Sequence, residues 1–184
     1  METQTTKKQE VITLGSGCFW CTEAIFERIK GVEAVKSGFS GGQIINPSYR
    51  EVCNGTTGHA EVVQVVFNPS IVSVQEILEV FWSVHDPTTL NRQGNDIGTH
   101  YRSAVFYHNE NQKAIAEEYM EQLNNSAKYP NPIVTEITAW TNFFPADGYH
   151  DDYYDLNGTE PYCQFVIHPK VEKFEREFKA KLKE

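Results

Sequence analysis

The sequence lacks any apolar run long enough to cross a bilayer, and it lacks a cluster of lysine or arginine. Its longest apolar stretches, such as residues 62–67, are short and interrupted by polar residues, whereas a membrane-spanning helix needs about 20 apolar residues. The 16 Lys and Arg residues are outnumbered by 25 Asp and Glu residues, and the net charge is −9. Because nucleic acids and anionic membranes attract clustered positive charge, the sequence predicts neither as a partner.

Cysteine is also scarce, and no secretory signal precedes it. The chain has 4 Cys among 184 residues, and its N-terminal segment has no apolar run followed by a small-residue cleavage site. Disulfide frameworks are typical of small secreted proteins. We therefore expect a cytoplasmic protein whose thiols are reduced or reactive, and we expect it to be a monomer.

Metal-ligand spacing is missing as well. The 6 His residues are scattered along the chain. A structural zinc site would need a second close ligand pair beside Cys18 and Cys21, whereas Cys53 and Cys163 each stand alone. The sequence predicts no metal site.

What the chain does contain is an alternation of strand-like and helix-like segments. Residues 1–9 are polar and aperiodic, which predicts a disordered leader before a single domain over 10–184. The interleaved pattern predicts an α+β fold, an α/β sandwich in which helices flank a mixed β-sheet with a ferredoxin-like core.

The segments differ in how clearly they are marked. Ser73 and Glu76 have the spacing of a capping box before the periodic apolar run of residues 74–82, which predicts a helix. Strands are expected at 10–14, 32–37, 59–67, 101–107, 132–139 and 165–168, and further helices at 19–30, 49–53, 109–124 and from Pro169 to the end.

One stretch places a thiol at the predicted start of a helix. Cys18 follows the flexible turn Gly15-Ser16-Gly17. The free N–H groups and the positive dipole at a helix N-terminus favour a thiolate, so Cys18 is expected to be a nucleophile. Phe19 and Trp20 follow directly and can form the wall of a pocket for a small apolar group.

Three loop regions gather further chemical groups: Tyr49 with Cys53, His59 with Glu61, and Asp96 with His100 and Tyr101. A carboxyl group that is buried beside a thiolate has a raised pKa and can donate a proton at neutral pH, which makes Glu61 a candidate acid. Two tyrosine hydroxyls aimed at one oxygen stabilise negative charge there, which suits Tyr49 and Tyr101. The alternative is that these residues are an ordinary surface glutamate and two core rings.

The motifs of the chain resemble those of the peptide methionine sulfoxide reductase A family. They occur in order between residues 11 and 168: Gly17-Cys18-Phe19-Trp20, Tyr49-x-Glu51-Val52-Cys53, Gly58-His59-Ala60-Glu61, Phe81-Trp82, His85-Asp86-Pro87-Thr88, Asn91-Arg92-Gln93-Gly94, Asp96-x-Gly98-Thr99-x-Tyr101-Arg102-Ser103 and Tyr149-His150-x-x-Tyr153. So many separate motifs make the resemblance specific.

The resemblance implies an enzyme, a peptide-methionine (S)-S-oxide reductase that acts on free or protein-bound methionine S-sulfoxide without a cofactor. It implies that the thiolate of Cys18 attacks the sulfoxide sulfur and becomes a sulfenic acid, and that thioredoxin or a similar dithiol protein is the final reductant. The implied roles of the other residues are substrate binding for Phe19 and Trp20, oxygen binding and protonation for Glu61, Tyr49 and Tyr101, and support of the site for Asp96.

The resolving thiol is less clearly marked. Tyr162-Cys163 resembles the start of the resolving segment in other members, so Cys163 is the expected resolving cysteine. Cys21, one helical turn from Cys18, is the rival or a relay, because a Cys-x-x-Cys pair can also form a disulfide. Cys53 is expected to be buried, and His100 stands where glutamine is frequent in the family.

Three other functions fit parts of the sequence. The main alternative is a general thiol-disulfide oxidoreductase that uses Cys18 and Cys21. A hydrolase in which His59 or His100 serves as base for Cys18 is another, and a binding module for methionine-like side chains is the third.

Overall fold

The structure is a computed structural model that describes residues 8–184. In chain order its elements are β1 (Glu10–Ser16), α1 (Phe19–Phe26), β2 (Val32–Ser40), α2 (Tyr49–Cys53), β3 (Ala60–Phe67), α3 (Val74–Ser83), β4 (Arg92–Gln93), β5 (Asp96–Ile97), β6 (Ser103–Tyr107), α4 (Glu110–Asn125), β7 (Glu136–Ala139), β8 (Phe144–Pro145), α5 (Tyr153–Leu156) and α6 (His168–Glu177). The predicted leader lies outside the described residues, apart from Lys8 and Gln9.

Six strands form one mixed sheet in the order β7-β6-β1-β3-β2-β8. Neighbouring strands are antiparallel, except that β6 and β7 run parallel. The short strands β4 and β5 form a separate hairpin within the predicted loop before β6. The predicted α+β class with a mixed sheet is confirmed.

The core lies mainly on one face of the sheet. Because successive strand residues point to opposite faces, Val63, Val65 and Phe67 of β3 join the large apolar cluster that includes α1, α3 and α6. Ala60 and Val62 belong to a small cluster on the other face. Glu61 is an odd-numbered residue of β3, like the three residues that join the large cluster. Its side chain therefore lies on the same face of the sheet, toward α1.

Helix starts follow local capping signals. Ser73 caps α3 and Glu76 completes the predicted capping box, and Ser48 with Glu51 forms a second one at α2. Each box satisfies two backbone N–H groups that would otherwise lack partners. No helix among residues 8–184 is both long and apolar enough to cross a membrane.

The predicted strand at residues 165–168 is wrong. Residues 163–167 form a π-helical turn that continues into α6. Cys163, Ile167, Val171 and Phe174 are buried, whereas Phe165 is 82% exposed. Spacings of three and four residues place these four side chains on one helix face, so the helical period extends farther toward the N-terminus than Pro169 suggested.

The C-terminal tail is hydrogen-bonded to the segment that connects α1 and β2. The Lys30 N–H donates to the Lys181 carbonyl at 2.7 Å, and the Lys183 N–H donates to the Arg28 carbonyl at 2.9 Å. Ile29 and Leu182 form an antiparallel bridge between these two bonds. Helix α6 is therefore held beyond its end as well as along its buried face.

Candidate active site

Cys18 lies immediately before α1, at its N-cap position, as predicted. Its carbonyl oxygen accepts hydrogen bonds from the N–H groups of Cys21 at 3.2 Å and Thr22 at 3.4 Å. The turn requires glycine at Gly17, because φ is +94° there and a Cβ would lie 2.8 Å from the side chain of Gln93. The sharp turn thus fixes Cys18 beyond the C-terminal end of β1, an interior strand of the sheet.

The protonation of Cys18 differs from the expectation for a helix N-terminus. A hydrogen bond from the Trp20 N–H lowers the pKa of the thiol, but burial and the nearby Glu61 carboxyl group raise it well above its usual value. The thiol is only 6% exposed. Desolvation outweighs the dipole, so Cys18 is a thiol in the substrate-free site.

Glu61 lies at the second position of β3 and is buried. The Phe19 N–H donates to its Oε1 atom at 3.4 Å. Its other oxygen, Oε2, is buried and has no hydrogen-bond partner among the described residues. Burial raises the pKa of this carboxyl group to about 8, so it is protonated at neutral pH and has an unused O–H group.

Tyr49 and Tyr101 come from separate elements, α2 and the short 3-10 turn before β6. Burial first, and then the charge of Glu61, raise the pKa of both hydroxyls far above the usual range for tyrosine. Both hydroxyls are therefore donors at any ordinary pH. The shared influence of Glu61, which also acts on Cys18, shows that these four groups lie together.

Phe19 and Trp20 form an aromatic wall beside them. The ring of Phe19 is stacked on that of Tyr49 with a centroid distance of 6.0 Å. Trp20 packs face to face on Tyr153, with centroids 3.8 Å apart and planes 8° apart. The indole N–H of Trp20 donates to His150 Nδ1 at 3.0 Å, which fixes the rotation of the ring.

Tyr162 is a site residue that sequence reasoning missed. Its hydroxyl donates to Asp96 Oδ2 at 2.6 Å and also lies within hydrogen-bonding distance of the Cys18 sulfur. His150 and Tyr153 were likewise quoted within a motif without a role. The sequence identifies these three residues only by their place in motifs. Their contacts join parts of the chain more than 60 residues apart, so no local pattern predicts them.

The four cysteines are free thiols. Cys21 and Cys163 are both buried in the cluster under α1. Burial raises the pKa of Cys21 to about 12, although the nearby Lys170 lowers it, and Cys163 is close enough to raise it further. Cys53 is only half-buried, contrary to expectation, and its thiol is hydrogen-bonded to Tyr49.

His59 is not in a position to act as a base for Cys18, because both of its ring nitrogens have other partners. Its Nδ1 atom accepts a hydrogen bond from the Gly42 N–H at 3.0 Å, and its Nε2 atom donates to the Ile44 carbonyl at 2.8 Å. Both ring nitrogens therefore hold the loop after β2. His100 is buried against the Tyr101 ring at 3.9 Å, and its Nδ1 atom has no partner among the described residues.

Two clefts flank the site without containing Cys18. One of about 380 Å³ borders Tyr49 and Phe39. The other, of about 480 Å³, lies on the far side of Gln93 and is bordered by His85 and Lys170. The first cleft adjoins the aromatic wall. It leaves room for the peptide backbone next to a bound substrate side chain.

The chain is similar to known proteins in sequence and in fold. A family model described as Peptide methionine sulfoxide reductase matches residues 10–182. The chain belongs to this family. A peptide methionine sulfoxide reductase MsrA from Saccharolobus solfataricus is 55% identical over 174 residues, which cover 95% of this chain and 97% of the relative.

Solved structures of the family agree with the fold. Mxr1 from Saccharomyces cerevisiae in reduced form has a TM-score of 0.78 at 36% identity, covering 86% of this chain and 91% of that one. Mxr1 in complex with Trx2 has a TM-score of 0.55 at 28% identity, covering 83% of this chain and 91% of that one. The family predicted from the motifs, and with it the reduction of methionine sulfoxide, is confirmed.

Proposed function

We propose that the chain reduces methionine S-sulfoxide at Cys18, with Glu61 as the proton donor. The observation that carries this proposal is the buried Glu61 Oε2 atom, which has no hydrogen-bond partner among the described residues. It belongs to a carboxyl group whose charge acts on Cys18, Tyr49 and Tyr101 and whose own pKa is raised by burial. A donor without a partner in a dry site is a costly arrangement. The oxygen of a sulfoxide is the acceptor that this set of donors suits.

The methyl group and the oxygen of the substrate occupy different sides of the site. Phe19 and Trp20 offer an apolar surface for the methyl group, while Glu61, Tyr49 and Tyr101 offer hydrogen bonds to the oxygen. With both groups in place, the sulfur of one epimer faces Cys18. In the other epimer the methyl group and the oxygen would occupy each other's positions, so the methyl group would meet the hydrogen-bond donors. This division supports selectivity for the S-epimer and one enzyme per epimer.

Substrate binding also supplies the thiolate that the free site lacks. A sulfoxide carries partial positive charge on sulfur and negative charge on oxygen, so its sulfur favours an anion at Cys18, while the neutral Glu61 adds no opposing charge. Hydrogen bonds from Glu61 and the tyrosines strengthen as charge grows on the oxygen in the transition state.

The reaction moves two electrons and one oxygen. The Cys18 sulfur forms a bond to the sulfoxide sulfur as Glu61 protonates the oxygen. The hydroxyl group then moves to the Cys18 sulfur while the S–S and S–O bonds to the methionine sulfur break, and an electron pair remains on the methionine sulfur. Methionine is released with its sulfur reduced by two electrons, and Cys18 is oxidised by two electrons to sulfenic acid. Glu61 recovers a proton when the original Cys18 proton re-enters the site.

We propose that Cys163 resolves the sulfenic acid, with Cys21 as the relay between them. A thiol condenses with the sulfenic acid to give a disulfide and water. The position of Cys21 one turn after Cys18, and its closeness to Cys163 in the same buried cluster, support transfer of the disulfide along α1. A dithiol protein then reduces the disulfide, and the complex of Mxr1 with Trx2 supports thioredoxin as that protein.

We further propose that the enzyme is a single catalytic domain, a monomer and cytoplasmic. Residues 10–184 act as one monomeric catalytic domain, because one sheet and one large core cluster connect the elements that carry the site. The four free thiols suit the reducing conditions of the cytoplasm.

A single-turnover experiment tests the reaction. The reduced protein is mixed with a peptide that carries methionine S-sulfoxide, without a reductant, and the methionine formed is counted per enzyme molecule. About one equivalent is expected from the S-epimer and none from the R-epimer. Absence of methionine with the intact chain, or equal turnover of both epimers, overturns the proposal.

The same reaction separates the roles of the thiols. Mass mapping after turnover should find a disulfide that includes Cys163 in the wild type and a Cys18–Cys21 disulfide in Cys163→Ser. Cys53→Ser serves as the matched control and should leave the disulfide pattern unchanged. A wild-type enzyme with a Cys18–Cys21 disulfide and a free Cys163 would show that Cys21 is the resolving cysteine.

A further inference from the structure

Three carboxyl groups meet where the C-terminal end of α1 approaches β2 and the start of α5. An oxygen of Glu23, one of Glu27 and one of Asp152 all lie within 4.8 Å of one another. Glu23 and Glu27 are one turn apart at the end of α1, whereas Asp152 directly precedes α5. The cluster therefore joins the helix that starts at Cys18 to the segment that carries Tyr153.

Glu23 is the buried anchor of the cluster, with 3% exposure. Its Oε2 atom accepts a hydrogen bond from the Ser37 hydroxyl at 2.5 Å, and its Oε1 atom accepts one from the Asp152 N–H at 2.6 Å. Both oxygens thus have donors. Glu23 fixes the backbone at Asp152.

That backbone is in an unusual conformation. Asp152 has φ +51° and ψ +31°, the left-handed region that is uncommon for residues other than glycine. The next residue is Tyr153, whose ring lies 3.8 Å from the ring of Trp20. The position of the Tyr153 ring therefore depends on whether the turn at Asp152 is held in place.

No positive charge among the described residues neutralises the cluster. The Arg28 guanidinium pairs with Asp155 at 2.9 Å and Glu175 at 3.4 Å, and the Lys36 ammonium pairs with Asp151 at 2.6 Å. Three carboxylates so close together repel one another strongly. At least one of them has to carry a proton for the arrangement to persist.

Burial raises the pKa of both Glu23 and Glu27, but both oxygens of Glu23 already accept hydrogen bonds from Ser37 and Asp152, so the proton is assigned to Glu27. Burial raises its pKa to about 8, and a hydrogen bond to Asp152 and the charges of Glu23 and Asp152 act in the same direction. The protonated carboxyl group of Glu27 donates a hydrogen bond to Asp152, as does the acid in other carboxyl–carboxylate pairs.

We propose that Glu27 is a positioning residue of the reductase, which keeps Tyr153 stacked on Trp20 by donating a hydrogen bond from its carboxyl group to Asp152. The inference rests on the proposed function, in which Trp20 holds the methyl group of the substrate. When Glu27 loses its proton, three anions face one another, the turn at Asp152 loosens, and Trp20 loses the ring that packs on its outer face.

The pH dependence follows from the direction of the shift. The acid form of Glu27 prevails below about pH 8 and the anion above it. Substrate binding should therefore weaken as the pH rises through this range. Glu61 titrates in the same range and also hydrogen-bonds the substrate oxygen, so the effect of Glu27 on KM is the difference between the wild type and a Glu27 variant in the same pH series.

Glu27→Gln is the sharpest test, because glutamine keeps a hydrogen-bond donor but does not titrate. In the wild type KM for a methionine S-sulfoxide peptide should rise by about threefold or more between pH 7 and 9. In Glu27→Gln the rise of KM should be clearly smaller than in the wild type, because only the contribution of Glu61 is left, while the fall of kcat with pH remains. Glu117→Gln, an exposed glutamate of α4, is the matched control and should behave as the wild type.

A second readout does not depend on activity. The fluorescence of Trp20, taken as the difference between the protein and a Trp20→Phe variant, should change between pH 7 and 9 in the wild type and not in Glu27→Gln. Asp152→Asn removes one of the three anions, and asparagine tolerates the left-handed region, so it should also flatten both profiles.

The outcomes separate this inference from the proposed function. Equal KM and fluorescence profiles in the wild type and Glu27→Gln overturn the role of Glu27. If no methionine is formed at any pH, the proposed function fails, while the fluorescence titration still decides whether Glu27 controls the stacking of Tyr153 on Trp20.

Discussion

The hydroxyl of Tyr162 donates a hydrogen bond to Asp96 at 2.6 Å. The same hydroxyl lies against the Cys18 sulfur, and Cys163 is the next residue along the chain. Asp96 thus helps to hold the residue before the predicted resolving cysteine beside the nucleophile, together with the edge-on contact between the rings of Tyr162 and Trp20, whose centroids lie 5.9 Å apart.

The Tyr162 contact should affect the reactivity of Cys18. The hydroxyl lowers the pKa of the thiol, so Tyr162→Phe should raise that pKa and slow alkylation of Cys18 by iodoacetamide at a fixed pH. Tyr154→Phe is the matched control, because Tyr154 is hydrogen-bonded to His168 instead. Equal alkylation rates in both variants would contradict this role of the hydroxyl.

Glu61→Gln should slow sulfoxide reduction less than Cys18→Ser does. The amide of glutamine still donates a hydrogen bond but cannot transfer a proton, so a loss of about 10²-fold in the single-turnover rate is expected, at the low end for general acid catalysis. Cys18→Ser should form no methionine. The fall of the wild-type rate above about pH 8, where Glu61 ionises, should be absent in Glu61→Gln. Complete loss of reduction in both variants would count against the acid.

The buried Glu61 should also make stability depend on pH. Its pKa rises from 4.5 in the unfolded chain to about 8 in the folded protein. The folded state is therefore unaffected by Glu61 below pH 4.5 and loses stability as the pH rises toward 8. Urea unfolding at pH 9 should show Glu61→Gln to be more stable than the wild type, on the order of 5 kcal/mol, and the difference should vanish near pH 4. A difference that does not change with pH would contradict this explanation.

The C-terminal tail should contribute to stability through Leu182. Its side chain packs against the large core cluster, and its backbone bridges to Ile29. Leu182→Ala should lower the free energy of unfolding by about 2 kcal/mol, the low end for a leucine that is partly buried. Lys183→Ala removes only an exposed side chain and is the control. Urea denaturation of the two variants measures the difference, and similar losses in both would show that the tail acts through its backbone alone.

The sequence predicted those elements whose signals are local. The capping box at Ser73 and the apolar period after it marked α3, and the run before Asn68-Pro69 marked β3. The sequence predicts loop over the hairpin of β4 and β5, because each strand has only two residues. It predicts a strand near the π-helical turn at Cys163, because a short apolar run has the same appearance in a strand and in a buried helix.

The motifs identify the site residues, but they do not predict how the pKa values of those residues are shifted. The position of Cys18 before α1 followed from the glycine turn, whereas its raised pKa depends on burial and on Glu61, 43 residues away in the chain. The contact between Glu27 and Asp152 is likewise set by how α5 packs on α1. Such long-range effects leave no local pattern in the sequence.

The π-helical turn at residues 163–167 has a consequence for the rate of turnover. A π turn has weaker hydrogen-bond geometry than the α-helix that follows it, so it is the place where this part of the chain separates most easily from the core. Release of Cys163 is then a local opening event, limited by the tail bound at Arg28 and Lys30. We expect any step of regeneration that requires release of Cys163 from the core to accelerate steeply with temperature, as unfolding reactions do.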